Sequence, residues 1–196
     1  IRYSVRGAIT LQADNNITMG TAARVNGEAA ITVTADHDKN SSGLLTMADG
    51  SVINATGGNI IVTAAGNVSL AQMITTGNVE VTSTAGAATE AGDAGGADVQ
   101  AAELTINASG SVGTTANPIE TQVAQLGVTS AGTIDVDNTG DLTLGAITAQ
   151  GDVTISVASE MIVSDAINTG GGDVSWDVTE ALHITAAVTP RGGPVP

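Results

Sequence analysis

The sequence predicts an all-β protein, a parallel β-solenoid with about 19–20 residues per coil. Three observations predict it. Nearly the same string recurs between glycines that lie 19 positions apart, and apolar and polar residues alternate within each string. The apolar residues are almost all Ala, Val, Ile and Leu, with one Trp, one Tyr and no Phe. Small branched side chains of this kind favour strands.

Each copy of the repeated string is predicted to form one coil of the solenoid. It reads "GNIIVTAAGNVSLAQMITTG" at 58–77, "GTIDVDNTGDLTLGAITAQG" at 132–151 and "GDVTISVASEMIVSDAINTG" at 151–170. Each copy holds two alternating runs, which are too short for a helix, and a third short segment before the turn glycine. One coil cannot bury its own apolar face, so several must stack.

Overlaying the copies predicts which side chains point inward, because alternate residues of a strand face opposite sides. The same overlay places Trp176 in the column of Val136 and Ile155, in the last coil. A large ring there could cover the end of the apolar column, and Tyr3 could do the same at the other end. The alternative is that Trp176 is ordinary core filling and that Tyr3 lies at the surface. The predicted inward columns are Ile60–Ile134–Val153, Val62–Val136–Ile155, Val68–Leu142–Met161 and Leu70–Leu144–Val163.

Three stretches depart from the repeat. "DHDKNSSG" at 36–43 and "AGAATEAGDAGGAD" at 85–98 have turn composition and are predicted to be loops inserted into coils. The stretch 110–132 is similar to irregular coils found between the regular repeats of giant bacterial surface proteins, and this resemblance implies an irregular coil here. The stretch 173–189 repeats the coil before it after a slip of two residues. With about eight to ten coils spaced about 4.8 Å apart, the rod would be roughly 40–45 Å long.

The prediction is a single β-solenoid domain over 1–196, forming part of a longer chain, with a tail of linker composition at 190–196. The formal net charge of −15, with five basic residues, argues against binding to nucleic acid or anionic lipid. No apolar run approaches the roughly 18 residues of a membrane span, so no membrane insertion is expected. There is no cysteine, which excludes a disulfide framework.

The strings at 58–77 and 132–151 resemble the 19-residue repeats of filamentous-haemagglutinin-type exoproteins, large secreted adhesins of Gram-negative bacteria. The resemblance implies a right-handed β-helix and an extracellular or cell-surface location. One feature departs from the family. Its secretion domain carries Asn-Pro-Asn-Gly, whereas Asn117-Pro118 is followed here by Ile119. The chain would then be shaft and not secretion domain, or belong to another kind of giant surface protein.

The residue types that an enzyme of this fold would need are largely missing from the sequence. β-Helical lyases need a basic residue as proton acceptor, and positions 40–190 contain no Lys or Arg. The available bases are His37, in an inserted loop, and His183, aligned with outward Ser69 and Thr143. Asp135 and Asp137 form a carboxylate pair on one outward face, but the chain offers almost no aromatic platform for a sugar. We predict no catalytic residues and no cofactor.

Calcium binding is left open for two loops. Asp36, Asp38 and Asn40 have the oxygen spacing of a calcium loop, but Ser41 stands where a turn glycine is expected and Met47 where a bidentate Glu is expected. The glycine-rich "GDAGGAD" at 92–98 occurs only once. No metal ligand is therefore assigned in either loop.

The functional expectation is a non-catalytic extracellular shaft or adhesin segment of a bacterial surface protein, with an unidentified cell-surface or matrix receptor. The first alternative is a filament subunit that stacks end to end on copies of itself. The second is a polysaccharide-active β-helix enzyme. Binding is expected at the irregular loops, 36–43 and 84–98, because loops on a rigid scaffold carry most binding residues.

Overall fold

The computed structural model describes residues 6–93 and 96–190, and every regular element among them is a β-strand. These residues contain no helix, and hence none of the length and apolarity that a membrane span requires. In chain order the strands are β1 (Ile9–Ala13), β2 (Ile17–Met19), β3 (Arg24–Gly27), β4 (Ile31–Ala35), β5 (Leu45–Met47), β6 (Val52–Ala55), β7 (Ile60–Ala64), β8 (Val68–Leu70), β9 (Gln72–Thr75), β10 (Asn78–Ser83), β11 (Ala88–Glu90), β12 (Val99–Ala108), β13 (Ile119–Ser130), β14 (Ile134–Asn138), β15 (Leu142–Ala149), β16 (Val153–Val157), β17 (Met161–Val163), β18 (Ile167–Thr169), β19 (Val174–Val178), β20 (Leu182–Ile184) and β21 (Val188–Pro190).

Each strand pairs in parallel with equivalent strands of neighbouring coils. In the first half of the chain a coil contributes three strands, which build three faces. Face one consists of β1, β4, β7 and β10, face two of β2, β5, β8 and β11, and face three of β3, β6 and β9. The first part of β12 continues face three, and its second part continues face one. The chain is thus a parallel β-solenoid of about nine coils, as predicted.

The average coil is about 21 residues long, slightly more than the predicted 19–20. Regular coils do have the predicted length, since Ile60 pairs with Val79 and Ile134 with Val153, 19 residues later in each case. The insertion at 36–43 lengthens one coil to 29 residues between Ile31 and Ile60. The predicted slip at Gly171 and Gly172 is confirmed, because Val153 pairs with Val174. The handedness of the winding stays a prediction of the family resemblance.

Alternation places the aliphatic side chains inside the tube. In β4 and β7 every second residue is fully buried, as Ile31, Val33, Ile60 and Val62 are, while the residues between them are partly exposed. The buried side chains form one hydrophobic cluster that extends from Met19 to Ile167. Backbone hydrogen bonds and this aliphatic column both run along the axis, so they join the coils into one stack.

One part of the predicted overlay is wrong. Ile134 does pair with Val153, but neither residue lies in the column of Ile60. All three are fully buried, so the inward orientation was predicted correctly and the face was not. The observed columns are Ile60–Val79–Leu104–Leu126–Leu144 on face one and Val68–Ala88–Val112–Ile134–Val153 on face two.

The error arises because the five-residue strand changes face in the second half of the chain. β14 starts on face two, where Ile134 bridges to Val112, and ends on face three, where its last residues pair with β13. Face one is then covered by β15, whose pairing with β13 shifts register between Leu126 and Val128. Strands of equal length were therefore overlaid although they occupy different faces.

The turn glycines are required by close stacking of successive turns. A Cβ on Gly58 would lie 2.2 Å from the backbone nitrogen of Ala30, and one on Gly172 would lie 2.1 Å from the carbonyl carbon of Gly151. Such contacts are well inside the distance at which atoms repel. Glycine recurs at these turns because the backbones of adjacent coils touch there.

Two stretches predicted to be irregular contain strands. The segment 85–98 includes β11, and the segment 110–132 includes the twelve-residue β13. Neither strand was predicted, because frequent Ala, Gly and Thr residues obscure the apolar–polar alternation in both segments. Tyr3 and residues 191–196 lie outside the described residues, so the predicted amino-terminal plug and most of the predicted tail do too.

The last described coil is only partly covered. Trp176 pairs with Ile155 in the predicted column and packs partly buried against the core. Leu182 and Ile184 pair with the fully buried Met161 and Val163, yet they are 42% and 52% exposed. Their inward face has no further coil of the described residues beyond it.

Candidate functional site: a carboxylate cluster

The loop at 36–43 uses its carboxylates to hold its own shape. The Asp36 carboxylate accepts hydrogen bonds from the N–H groups of Ser41 and Ser42, at 3.2 and 3.4 Å. The Asp38 carboxylate accepts one from the Asn40 side chain at 2.8 Å. These bonds accompany a positive φ of 68° at Asp36, and they use the oxygens that calcium coordination would need.

The predicted carboxylate pair at Asp135 and Asp137 is not exposed as a pair. Asp135 is 5% exposed and accepts a hydrogen bond from the Thr115 hydroxyl at 3.1 Å. The connection between β12 and β13 covers it so closely that a Cβ on Gly113 would lie 2.2 Å from the Asp135 carbonyl oxygen. Only Asp137 faces a groove, so the pair does not form a two-carboxylate cleft.

Both histidines lie at the surface, each beside one carboxylate. His37 Nδ1 is 3.5 Å from Asp14, and His183 Nε2 is 3.7 Å from Glu160, with more than half of each imidazole exposed. His183 aligns with outward Thr143 through Ile162, as predicted. Its predicted alignment with Ser69 is wrong, because that residue belongs to face two.

A carboxylate occupies an inward position on face two. Glu90 ends β11 and pairs in register with Leu70, which is fully buried. Ala88, two residues earlier on the same side of the strand, is also fully buried. Both carboxylate oxygens of Glu90 are closed off from solvent and have no hydrogen-bond partner among the described residues. The alternation of β11 thus directs a charged group toward the core, at a cost in desolvation.

Asp98 brings a second carboxylate to the same place. It precedes β12, and its carbonyl oxygen accepts a hydrogen bond from the Met73 N–H at 2.6 Å, which anchors it to face three. The residue is 2% exposed. Its carboxylate accepts a hydrogen bond from the Glu120 backbone N–H, but Oδ2 is buried without a partner.

The charges that act on Glu90 and Asp98 are all carboxylates. Asp49 approaches from the connection between β5 and β6, Asp93 from the connection after β11, and Glu120 from β13. Burial is the largest cause and raises the pKa of Glu90 from 4.5 to about 7, with Asp93 the next contributor. Burial, followed by the charge of Glu90, raises the pKa of Asp98 from 3.8 to about 8. The carboxylate cluster is defined as these five residues.

Two carboxyls with raised pKa values are also typical of a general acid and base. In this cluster both oxygens of Glu90 and Oδ2 of Asp98 are shielded from solvent and accept no hydrogen bond from the described residues. Over residues 6–93 and 96–190, no three His, Asp or Glu side chains are arranged to hold one metal ion. A proton is the ligand that fits the arrangement as it stands.

Sequence reasoning pointed to the segment 84–98, which contains Glu90, Asp93 and Asp98, but missed Asp49 and Glu120 and the inward position of Glu90. Asp49 and Glu120 belong to other coils, and only the true coil lengths bring them to this segment. A signal was present in "AATE", where Glu90 follows Ala88 at the spacing of two inward residues. It was missed because the segment was interpreted as a loop.

A shallow groove of about 380 Å³ lies beside residues 96 and 97. Its floor is formed by outward-facing side chains of four successively paired strands. These residues are Glu120, Asp137, Ser156 and Asp177, each paired with the next. A recess with this charge favours cations and basic side chains over anionic sugars. It lies next to one of the two irregular segments where binding was expected.

Comparison with protein-family models, with curated proteins and with solved structures finds no match for this chain. What is established is therefore the architecture, a β-solenoid of about nine coils, without an assigned family.

Proposed function

We propose that this chain is a non-catalytic structural shaft, part of an extracellular or cell-surface protein of the filamentous-haemagglutinin type, that holds adhesive parts away from the cell. The observation that carries the proposal is the aliphatic column, which continues through successive coils with parallel, in-register pairing. A solenoid of this kind is stiff along its axis and can be lengthened by adding coils.

The strongly negative charge of the chain is compatible with a surface exposed to the extracellular medium. With a net charge of −15 and five basic residues, copies of the chain repel one another, which keeps a long strand-rich rod in solution. The same charge makes nucleic acid and anionic membranes unsuitable partners. The receptor would be contacted by loops such as 36–43 or by the acidic groove, because the regular faces offer little chemical distinction.

The enzyme alternative has less support than the shaft. Glu90 and Asp98, the two carboxyls with raised pKa values, have oxygens that are shielded from solvent. Asp135 of the predicted carboxylate pair is buried. A polysaccharide-active site needs its carboxylates open to the sugar. Assays for new reducing ends on acidic polysaccharides are expected to stay at background, and release of such ends would overturn this proposal.

Surface labelling tests the location directly. Antibodies against the purified chain are expected to label intact cells of the organism that encodes it, and external protease is expected to remove the label. Labelling that appears only after the cells are permeabilised would contradict the proposal. A cytoplasmic protein released by lysis serves as the control for cell integrity.

One observation favours a second candidate, a filament subunit that stacks end to end. Leu182 and Ile184 occupy inward positions but are about half exposed, and the Trp176 Nε1 is buried without a partner among the described residues. A coil from another copy, docked against the last described coil, would cover the two aliphatic side chains.

A further inference from the structure

The carboxylates of buried Asp98 and partly buried Glu90 need to be neutralised. A buried carboxylate without a compensating charge is costly, and each of these two has at least one shielded oxygen without a hydrogen-bond partner in the described part of the chain. The surrounding charges from Asp49, Asp93 and Glu120 add repulsion. The ion pairs of Asp14, Glu28 and Glu160 involve neither Glu90 nor Asp98.

Two kinds of ligand could neutralise the pair, a cation or a proton. A divalent cation requires several oxygens converging on one point, and no three carboxylates of the described residues do so. A proton requires only one buried oxygen. Once protonated, Glu90 can donate a hydrogen bond to the neighbouring Asp93 side chain, which supplies the partner that the ionised form lacks.

We propose that Glu90 and Asp98 form a proton-binding site that makes the end of β11 and the start of β12 more stable in mildly acidic medium than in mildly alkaline medium. The site lies where a carboxylate replaces an aliphatic residue in the core register beside Leu70, and where Asp98 is held on Met73. Leu70 is apolar, so an ionised Glu90 stands in the core register beside other carboxylates, and an ionised Asp98 keeps an Oδ2 without a donor among the described residues.

The direction of the pH dependence follows from the raised pKa values. A proton binds these carboxyls more tightly in the folded chain than in the unfolded chain. The resulting stabilisation is complete below about pH 4, where both states are protonated, and is lost as the pH rises to about 8, the pKa of folded Asp98. Above that pH the folded chain carries the full cost of two ionised groups.

Carbon-13 NMR titration of the side-chain carboxyls of the full chain tests the site without any mutation. The Asp98 resonance is expected to titrate near pH 8 and the Glu90 resonance near pH 7. Midpoints near 4 for both would overturn the proposal. Because the two groups interact, their curves are fitted together.

Thermal unfolding of Asp98→Asn, between pH 5.5 and 8.5, tests the consequence. The midpoint of the wild type is expected to fall over this range by roughly 5 °C or more beyond that of Asp98→Asn, which cannot ionise. The control Asp137→Asn, on an outward position, is expected to follow the wild type. Parallel profiles for the wild type and Asp98→Asn would overturn the proposal.

Two further measurements separate the proton from other causes. Hydrogen-exchange protection of residues 88–90 and 99–101, corrected for intrinsic rates, is expected to fall at pH 8.5 in the wild type but not in Asp98→Asn. Calcium at pH 8.5 is expected to leave the wild-type midpoint unchanged. If calcium restores the midpoint as fully as acid does, the cluster binds a metal and the proposal is wrong.

Discussion

Glu90 pairs in register with Leu70, so a carboxylate stands in a core column at the position where the preceding coil buries a leucine. The two residues occupy the same register position on face two and differ in the side chain that they place there. A solenoid core tolerates this exchange only if the carboxyl is neutralised or the neighbouring segment adjusts. We therefore expect the stack of coils to be least stable around Glu90 and Asp98.

Glu90→Gln is expected to stabilise the chain at pH 8 by about 1–2 kcal/mol, less than the full pKa shift implies because the side chain is only partly buried. The folded-state pKa of about 7 lies above the ordinary 4.5, so the stabilisation from the proton is lost as the pH rises through 7. Little difference from wild type is expected at pH 4. Urea denaturation at both pH values measures the effect.

The matched control for that experiment is Glu80→Gln, at an exposed outward position of β10. It is expected to change the free energy of unfolding by less than about 0.5 kcal/mol at either pH. Equal effects of the two substitutions would show that the inward position of Glu90 has no energetic consequence.

Gly58→Ala is expected to destabilise the chain by roughly 2–4 kcal/mol. The added methyl would lie 2.2 Å from the Ala30 nitrogen, so adjacent turns would have to separate. Gly140→Ala is the control, because its added methyl would have no described atom within 4 Å other than those of its chain neighbours. Denaturant titration of both variants is decisive, and a Gly58→Ala variant as stable as Gly140→Ala would mean that the turns are not in contact.

Leu182→Lys with Ile184→Lys is expected to reduce any self-association of the chain, because it places two charges on the exposed end of the core. The net charge becomes less negative, so general repulsion between copies cannot explain a reduction. Ser175→Lys with Thr179→Lys adds the same charge on outward positions of the same coil and is expected to leave association unchanged. Light scattering over a concentration series measures the self-association of the wild type and of both double variants. A wild type that stays monomeric at every concentration would argue against the filament candidate.

The sequence predicted the inward positions well and their faces less well. Ile134, Val136 and Trp176 point inward as predicted, because a period of two is set by the strand itself. The face that a strand occupies depends instead on the summed length of all preceding turns. Ile60 and Ile134 were therefore overlaid although they lie on different faces.

The candidate site was predictable only in part. The segment 92–98 was recognised from its glycines and aspartates, but its carboxylate neighbours Asp49 and Glu120 come from other coils. Burial of Asp135 under the β12–β13 connection was not visible either, since that connection had no recognisable register. Local alternation identifies which side chains face inward, while long-range stacking decides which of them meet.

Disulfide cross-linking tests the stacking most directly, because the chain has no cysteine and two introduced thiols are then the only pair that can form a disulfide within one chain. Gln125 of β13 pairs with Thr143 of β15, both on outward positions of face one. Parallel neighbours lie about 4.8 Å apart, within the range that a disulfide spans. Gln125→Cys with Thr143→Cys is expected to cross-link on oxidation, whereas Gln125→Cys with Asp137→Cys, on different faces, is expected to stay reduced. The opposite result would contradict the assignment of these coils to one continuous stack.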